Sequence, residues 1–178
     1  SSDLALKIIA DDNGMAVRDT LLQSGQGDSV CRGYWQQAVF ADAVADELAA
    51  DLQKHGGRYQ PAARPAECVV HVRRSDYGHH GLLPLAYYQA ALEYCGQPAF
   101  TIVTDEPNYC EYVFSRLPGY SGVVRGNEAE PWADFNWMAS AKQQIIANSS
   151  FSWWAAWLGR ATGASAAVIA PAEWSLLK

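Results

Sequence analysis

The sequence lacks most of the signatures that would assign it at sight. It has no G-x-G-x-x-G turn, no Walker-type phosphate loop and no G-x-S-x-G elbow, so the common dinucleotide, nucleoside-triphosphate and serine-hydrolase patterns are unmatched. Its four cysteines, Cys31, Cys68, Cys95 and Cys110, are scattered without a C-x-x-C pair; no zinc site is indicated, and reduced thiols are expected. Basic residues are outnumbered, 13 Lys and Arg against 19 Asp and Glu, for a net charge of -6. A nucleic-acid binder would show the opposite balance and a basic stripe. No apolar run is long enough for a transmembrane helix, and nothing at Ser1-Ser-Asp3 resembles a signal peptide, so a cytoplasmic protein is expected. Internal repeats and low-complexity segments are absent too.

What is present is enough for one packed domain with an appendage: 178 residues, 49% apolar and 18% charged. Seven Trp and nine Tyr make either the interior or a binding surface aromatic. Residues 1–60 are read as a leader and a linker helix, with Leu4–Ile9 open to strand or helix, Gly25–Asp28 a turn, and helical spacing over Ala38–Gln53 up to Gly56-Gly57. Residues 61–178 are read as an α/β domain. Its expected strands are Cys68–Val72, Ala99–Thr104, Gly122–Arg125, Gln144–Asn148 and Ala166–Ala170. Its expected helices run from Pro84 to about Cys95, from Pro107 to near Leu117, from Trp132 to Gln143 and from Ser150 or Phe151 to Gly159. Strands alternating with crossover helices imply a parallel, Rossmann-like sheet with helices on both faces.

Two stretches carry chemistry. The first is His71-Val-Arg-Arg-Ser-Asp76, where a buried strand ends in charge. Arginine keeps its proton, so Arg73 and Arg74 need an anion, either a phosphate or the carboxylates of Asp76, Asp105 or Glu106. Ligands of open α/β sheets bind at the carboxyl ends of strands, which favours a phosphate-bearing ligand; a purely structural ion cluster is the rival. The second stretch is Asn148-Ser-Ser-Phe151, where a strand runs into a helix. Asn148, Ser149 or Ser150 can cap that helix, and its free N–H groups form an anion site. Thr104 and Asp105 close another strand, where Asp105 either touches a ligand or caps the next helix, and Asp134 suits the first turn of its helix for the dipole alone. His71, flanked by valines, reads by itself more readily as a satisfied, hydrogen-bonded strand histidine than as an acid or base.

These blocks together resemble glycosyltransferase family 11, the GDP-fucose-dependent α-1,2-fucosyltransferases. The matching pieces are His71–Tyr77, Leu83–Tyr88, Val103–Glu106, Asp134 with Met138, Ile145–Leu158, and Val168–Pro171 with Trp174, preceded by Gly33–Gln36. The resemblance implies the C-terminal, donor-binding half of a GT-B glycosyltransferase. It implies GDP-fucose as donor, a glycan acceptor, inversion at the anomeric carbon and no metal or other cofactor. A companion acceptor domain or a second copy of the chain would complete the acceptor side. Carried over by position, Arg73 would steady the β-phosphate of the leaving GDP, Ser149 and Ser150 would bind the same pyrophosphate, and His71 and Asp134 would read the guanine. Asp105 with Thr104 would lie near the sugar or ribose, and Asp76, the candidate base, and Tyr87 would line the cleft. Ser75 stands where the family usually has Gly, and Glu106 where a second Asp is common. Two other readings stay open: a GDP-sugar-binding module without transfer, and a phosphatase-like hydrolase using His71 and Arg73, which lacks the Arg-His-Gly order of such enzymes.

Overall fold

A computed structural model describes residues 7–10, 29–32, 41–42, 44–54, 59–60, 62, 66–79, 81–125 and 131–174. The chain divides into two compact units, Ser1–Glu47 and Leu48–Lys178. In the first unit, β1 (Lys7–Ala10) and β2 (Ser29–Arg32) pair in parallel. Of the segment expected as strand or helix, residues 7–9 lie in β1 and residues 4–6 lie outside the described residues, while β2 has no counterpart among the expected strands. The helix expected over Ala38–Gln53 is α1, Ala45–Lys54. The turn at Gly25–Asp28 and the Gly33–Gln36 segment lie outside the described residues.

The second unit alternates β3 (Cys68–Val72), α2 (Leu85–Tyr94), β4 (Phe100–Thr104), α3 (Pro107–Phe114), β5 (Tyr120–Arg125), α4 (Pro131–Ala139), β6 (Gln143–Ile145), α5 (Ser150–Ala161) and β7 (Ala167–Ile169). The strands form one parallel sheet in the order β5-β4-β3-β6-β7. The continuous apolar run of β3 follows from this topology, because a parallel strand covered on both faces has no polar side. Alternate residues feed two cores. Cys68, Val70, Phe100 and Ile102 pack with Tyr88 and Leu92 of α2 and Phe114 of α3. Val69 and Val103 pack with Met138 of α4 and Ala155 and Leu158 of α5. Emptying such a site, as in Phe114→Ala, would cost about 3–5 kcal/mol. Helices therefore cover both faces, as expected; among the described residues none is long and apolar enough to cross a membrane.

Two boundaries move for non-local reasons. Helix α4 stops at Ala139 rather than Gln143. The Ser140 hydroxyl donates to the Asn136 carbonyl and accepts from the Ala62 N–H. The N–H groups of Lys142 and Gln143 then donate to the carbonyls of Ala66 and Glu67. Strand β6 accordingly spans Gln143–Ile145, not Gln144–Asn148. At the other end of α5, Gly159 permits a close approach. A Cβ there would lie 2.5 Å from Ser165 Oγ, 2.7 Å from the Ala139 carbonyl oxygen and 2.7 Å from Gln144 Nε2. The buried chain of Gln144 Nε2 donating to Ser165 Oγ (2.6 Å), and Ser165 Oγ to the Ala141 carbonyl (2.7 Å), fills that space.

Candidate functional site

The sheet order reverses at β3: β4 and β5 lie on one side of it, β6 and β7 on the other. A parallel sheet leaves a crevice at such a point, outside the carboxyl ends of the strands. The register deepens it here. Strand β3 pairs with β4 to its last residue, Val72 against Thr104, but with β6 only as far as Val70 against Ile145.

A cleft of about 540 Å³ opens there, within the range of small-molecule sites. Its walls are His71 and Arg73 on and after β3, then Ser75, Asp76 and Tyr77 in the following turn. Val103, Thr104, Asp105 and Pro107 come from the β4–α3 junction, Pro131 and Asp134 from α4, and Ser149, Ser150 and Phe151 from the start of α5. Eight of the residues expected to form a site are thus brought together: His71, Arg73, Asp76, Thr104, Asp105, Asp134, Ser149 and Ser150.

Arg73 is held by two carboxylates. Its Nε donates to Asp76 Oδ1 at 3.0 Å and lies 3.2 Å from Asp105 Oδ2, and Nη2 lies 2.8 Å from Asp76 Oδ1. The Tyr77 ring stands 5.6 Å from the guanidinium carbon. Asp105 is largely withdrawn from solvent, whereas the Asp76 side chain is 64% exposed, so the second ion pair is the exchangeable one.

His71 is 4% exposed, its ring centroid 6.0 Å from that of Phe151. Burial first, and the Arg73 charge second, push its pKa down to about 4 against the opposing pull of Asp105. The imidazole is therefore neutral at neutral pH. Its Nδ1 is buried without a hydrogen-bond partner, so the histidine is not the internally satisfied one that the sequence left open. Burial also raises the Asp134 carboxyl above its ordinary range.

Ser149 is the N-cap of α5, yet its side chain makes no capping hydrogen bond. The Ser149 carbonyl accepts the Trp153 N–H at 2.9 Å, which leaves the N–H groups of the helix's first turn without an intrahelical acceptor. Ser149 is buried and Ser150 exposed. Thr104 turns inward: its Oγ1 accepts the Glu106 N–H (3.1 Å) and the Cys110 thiol (3.4 Å).

Three expected site residues stand elsewhere. Arg74 points to the opposite face of the sheet, its guanidinium carbon 3.6 Å from the centroid of the Tyr109 ring on α3 and its Nε 3.4 Å from Glu106 Oε2. Extended backbone sends successive side chains to opposite sides, so two adjacent arginines cannot converge on one ligand there. Tyr87 donates its hydroxyl hydrogen to the carbonyls of Ile146 (2.8 Å) and Ile169 (3.3 Å) and packs against the core rather than lining the cleft. Asn148 is buried and donates through Nδ2 to the Gly81 carbonyl at 3.1 Å. Conversely, Ser75, Tyr77 and Phe151 line the cleft without having been singled out. Ser75 lies in the turn after β3, where strand alternation no longer applies, and nothing local announced Phe151.

The fold and its crevice define an open parallel α/β domain with a mixed-charge cleft at the strand-order reversal. Residues 28–175 match the model of glycosyl transferase family 11, and the chain belongs to that family. Among curated proteins it is 36% identical over 117 residues to the O-antigen biosynthesis glycosyltransferase WbnK of Escherichia coli, covering 59% of this chain and 38% of that protein. It is also 36% identical over 104 residues to an alpha-1,2-colitosyltransferase of Escherichia coli, covering 50% of this chain and 35% of that protein. The chain thus spans well under half the length of either relative. In shape it is similar to POFUT1 crystallised in complex with GDP, with a TM-score of 0.46 and 14% identity over 92% of this chain and 60% of that one.

Proposed function

We propose that the second unit is the donor-binding half of a GT-B, inverting GDP-fucose fucosyltransferase, forming an α-1,2 linkage to a sugar hydroxyl. The observation that carries this reading is the meeting of Arg73 and the uncapped start of α5, from strands on either side of the sheet reversal, across one cleft. Both features favour an anion, and a diphosphate is the anion that can span them.

The chemistry follows. The acceptor hydroxyl oxygen attacks the anomeric carbon while the bond from that carbon to the β-phosphate oxygen breaks, its electron pair leaving with GDP. Positive charge builds on the sugar and negative charge on the departing phosphate. Arg73 and the helix N–H groups gain most as that charge develops, which lowers the barrier. Asp76, exposed and paired to Arg73 only at the surface, is displaced as counter-ion by the diphosphate and becomes the base that takes the hydroxyl proton. Neutral His71 and the Asp134 carboxylate suit the guanine edge, a carboxylate accepting from its N1–H and amino group. No protein-bound metal is assigned to this scheme. The colitosyltransferase relative makes GDP-colitose a second donor worth offering.

A second reading, a GDP-sugar-binding module that transfers nothing by itself, uses the same cleft, since Arg73 and the α5 start would bind a diphosphate with or without transfer. Titration calorimetry with GDP, beside turnover of GDP-fucose and GDP-colitose with sugar acceptors, separates the two. Binding with transfer supports the enzyme, binding without transfer the module, and absence of GDP binding refutes both.

A further inference from the structure

We infer that Asp105 is a positioning residue, whose carboxylate fixes the Arg73–Ser75 segment and so aims Arg73 into the cleft instead of meeting the ligand itself. The inference rests on the donor-site reading for the identity of the ligand, but the brace it describes is a property of the unliganded chain.

The carboxylate is engaged through both oxygens. Oδ1 accepts the Arg74 N–H at 3.0 Å, and Oδ2 accepts the Ser75 N–H at 3.1 Å and the Ser75 hydroxyl at 2.7 Å. Oδ2 also lies 3.2 Å from Arg73 Nε. Three hydrogen-bond donors and the adjacent Arg73 charge meet a group that offers about four lone-pair sites, on a side chain only 14% exposed. On Oδ2 little acceptor capacity is left for a ribose or sugar hydroxyl.

The topology explains why a brace is required. Past Val72 the β3 chain has left the sheet, and its N–H groups have no strand to bond to. On the β6 side, pairing has ended two residues earlier. On the β4 side, Asp105 is the residue directly after Thr104, the partner of Val72. Its side chain takes over where the backbone ladder stops. Because it accepts from two main-chain amides and pairs by charge with the Arg73 guanidinium, one group sets both the path of the chain and the direction of the cation. It also neutralises its own charge locally, so an acid at the cleft wall does not repel a diphosphate as a bare carboxylate would.

The test is amide hydrogen exchange, by NMR on the unliganded full chain, for wild type, Asp105→Asn and the milder Ser75→Ala. In Asp105→Asn the Arg74 and Ser75 amides should exchange about 10- to 100-fold faster, the loss expected for hydrogen bonds to a charged acceptor. Ile102 and Val103, in the core of β4, should keep wild-type rates, which a general loss of stability would not allow. Ser75→Ala, which deletes one exposed hydroxyl and keeps the fold should the other variant fail to, should speed the Ser75 amide by a smaller factor. GDP affinity should fall about tenfold in Asp105→Asn. Unchanged Arg74 and Ser75 exchange in both variants overturns the inference, and so does a loss of GDP affinity in Asp105→Asn without faster exchange, which would make Asp105 a direct ligand contact. Faster exchange in a protein whose wild type ignores GDP would keep the brace and refute the nucleotide reading.

Discussion

Arg73 and Arg74 are neighbours in the chain and opposites in the fold. Arg73 lies in an open cleft, with one of its two carboxylate partners exposed to solvent. Arg74 lies against the Tyr109 ring beside Glu106, on the face covered by α2 and α3. Both arginines are charge-paired, so pairing does not distinguish a ligand site from a structural tie. What distinguishes them is the room beside the cation and whether its partner can leave. Alternation along extended backbone does the sorting, and it turns one arginine into the cleft and the other against α3.

The sharpest way to break this comparison is Arg73→Ala. It should lower GDP affinity by ~10²–10³-fold and leave the urea midpoint almost unmoved; calorimetry and a denaturation curve on the same preparation decide it. His71, on the Arg73 face, gives the next effect. Its pKa falls from 6.5 to about 4 on folding, so the unfolded chain binds more protons in that interval. Its contribution is whole above about pH 6.5 and is lost progressively toward pH 4, by about 3 kcal/mol in all. Urea midpoints measured across that interval should drop, and His71→Asn should flatten the slope. Third is Arg74→Ala, which should cost about 1–2 kcal/mol of stability while GDP affinity stays within a few-fold. A large loss of binding there would return Arg74 to the ligand site. The smallest effect is that of Ser149→Ala, about 3- to 10-fold in GDP affinity; since that hydroxyl caps nothing, stability should be unaltered.

Much of the second unit could be read from the sequence, because β3 and β4 are short apolar runs and α2 and α3 begin next to Pro84 and Pro107. The gathering of Arg73 with Ser149 and Ser150 was legible for the same reason: each follows a strand of a parallel sheet. The three residues that lie outside the cleft do so for distinct reasons. Arg74 was separable from Arg73 by the period-two rule that already put His71 and Arg73 together. Tyr87 and Asn148 find partners 59 and 67 residues away, and no local pattern encodes such distances. The end of α4 was likewise set by Ala62, 78 residues from Ser140. In the first unit, β2 is only four residues long and draws its pairing from β1, so no periodicity could develop.

The contact at Gly159 reaches further than its own surroundings. Helix α5 is a stiff rod, and residue 159 lies about 14 Å along it from Ser150, at 1.5 Å per residue. Since the rod touches backbone at Ala139 with no side chain between, its tilt is decided at that distant bearing. The amides at the other tip inherit the tilt, as a gun sight inherits the set of its mount. The direction in which the first-turn N–H groups of α5 face the cleft is therefore a property of a hydrogen atom buried at the far side of the domain.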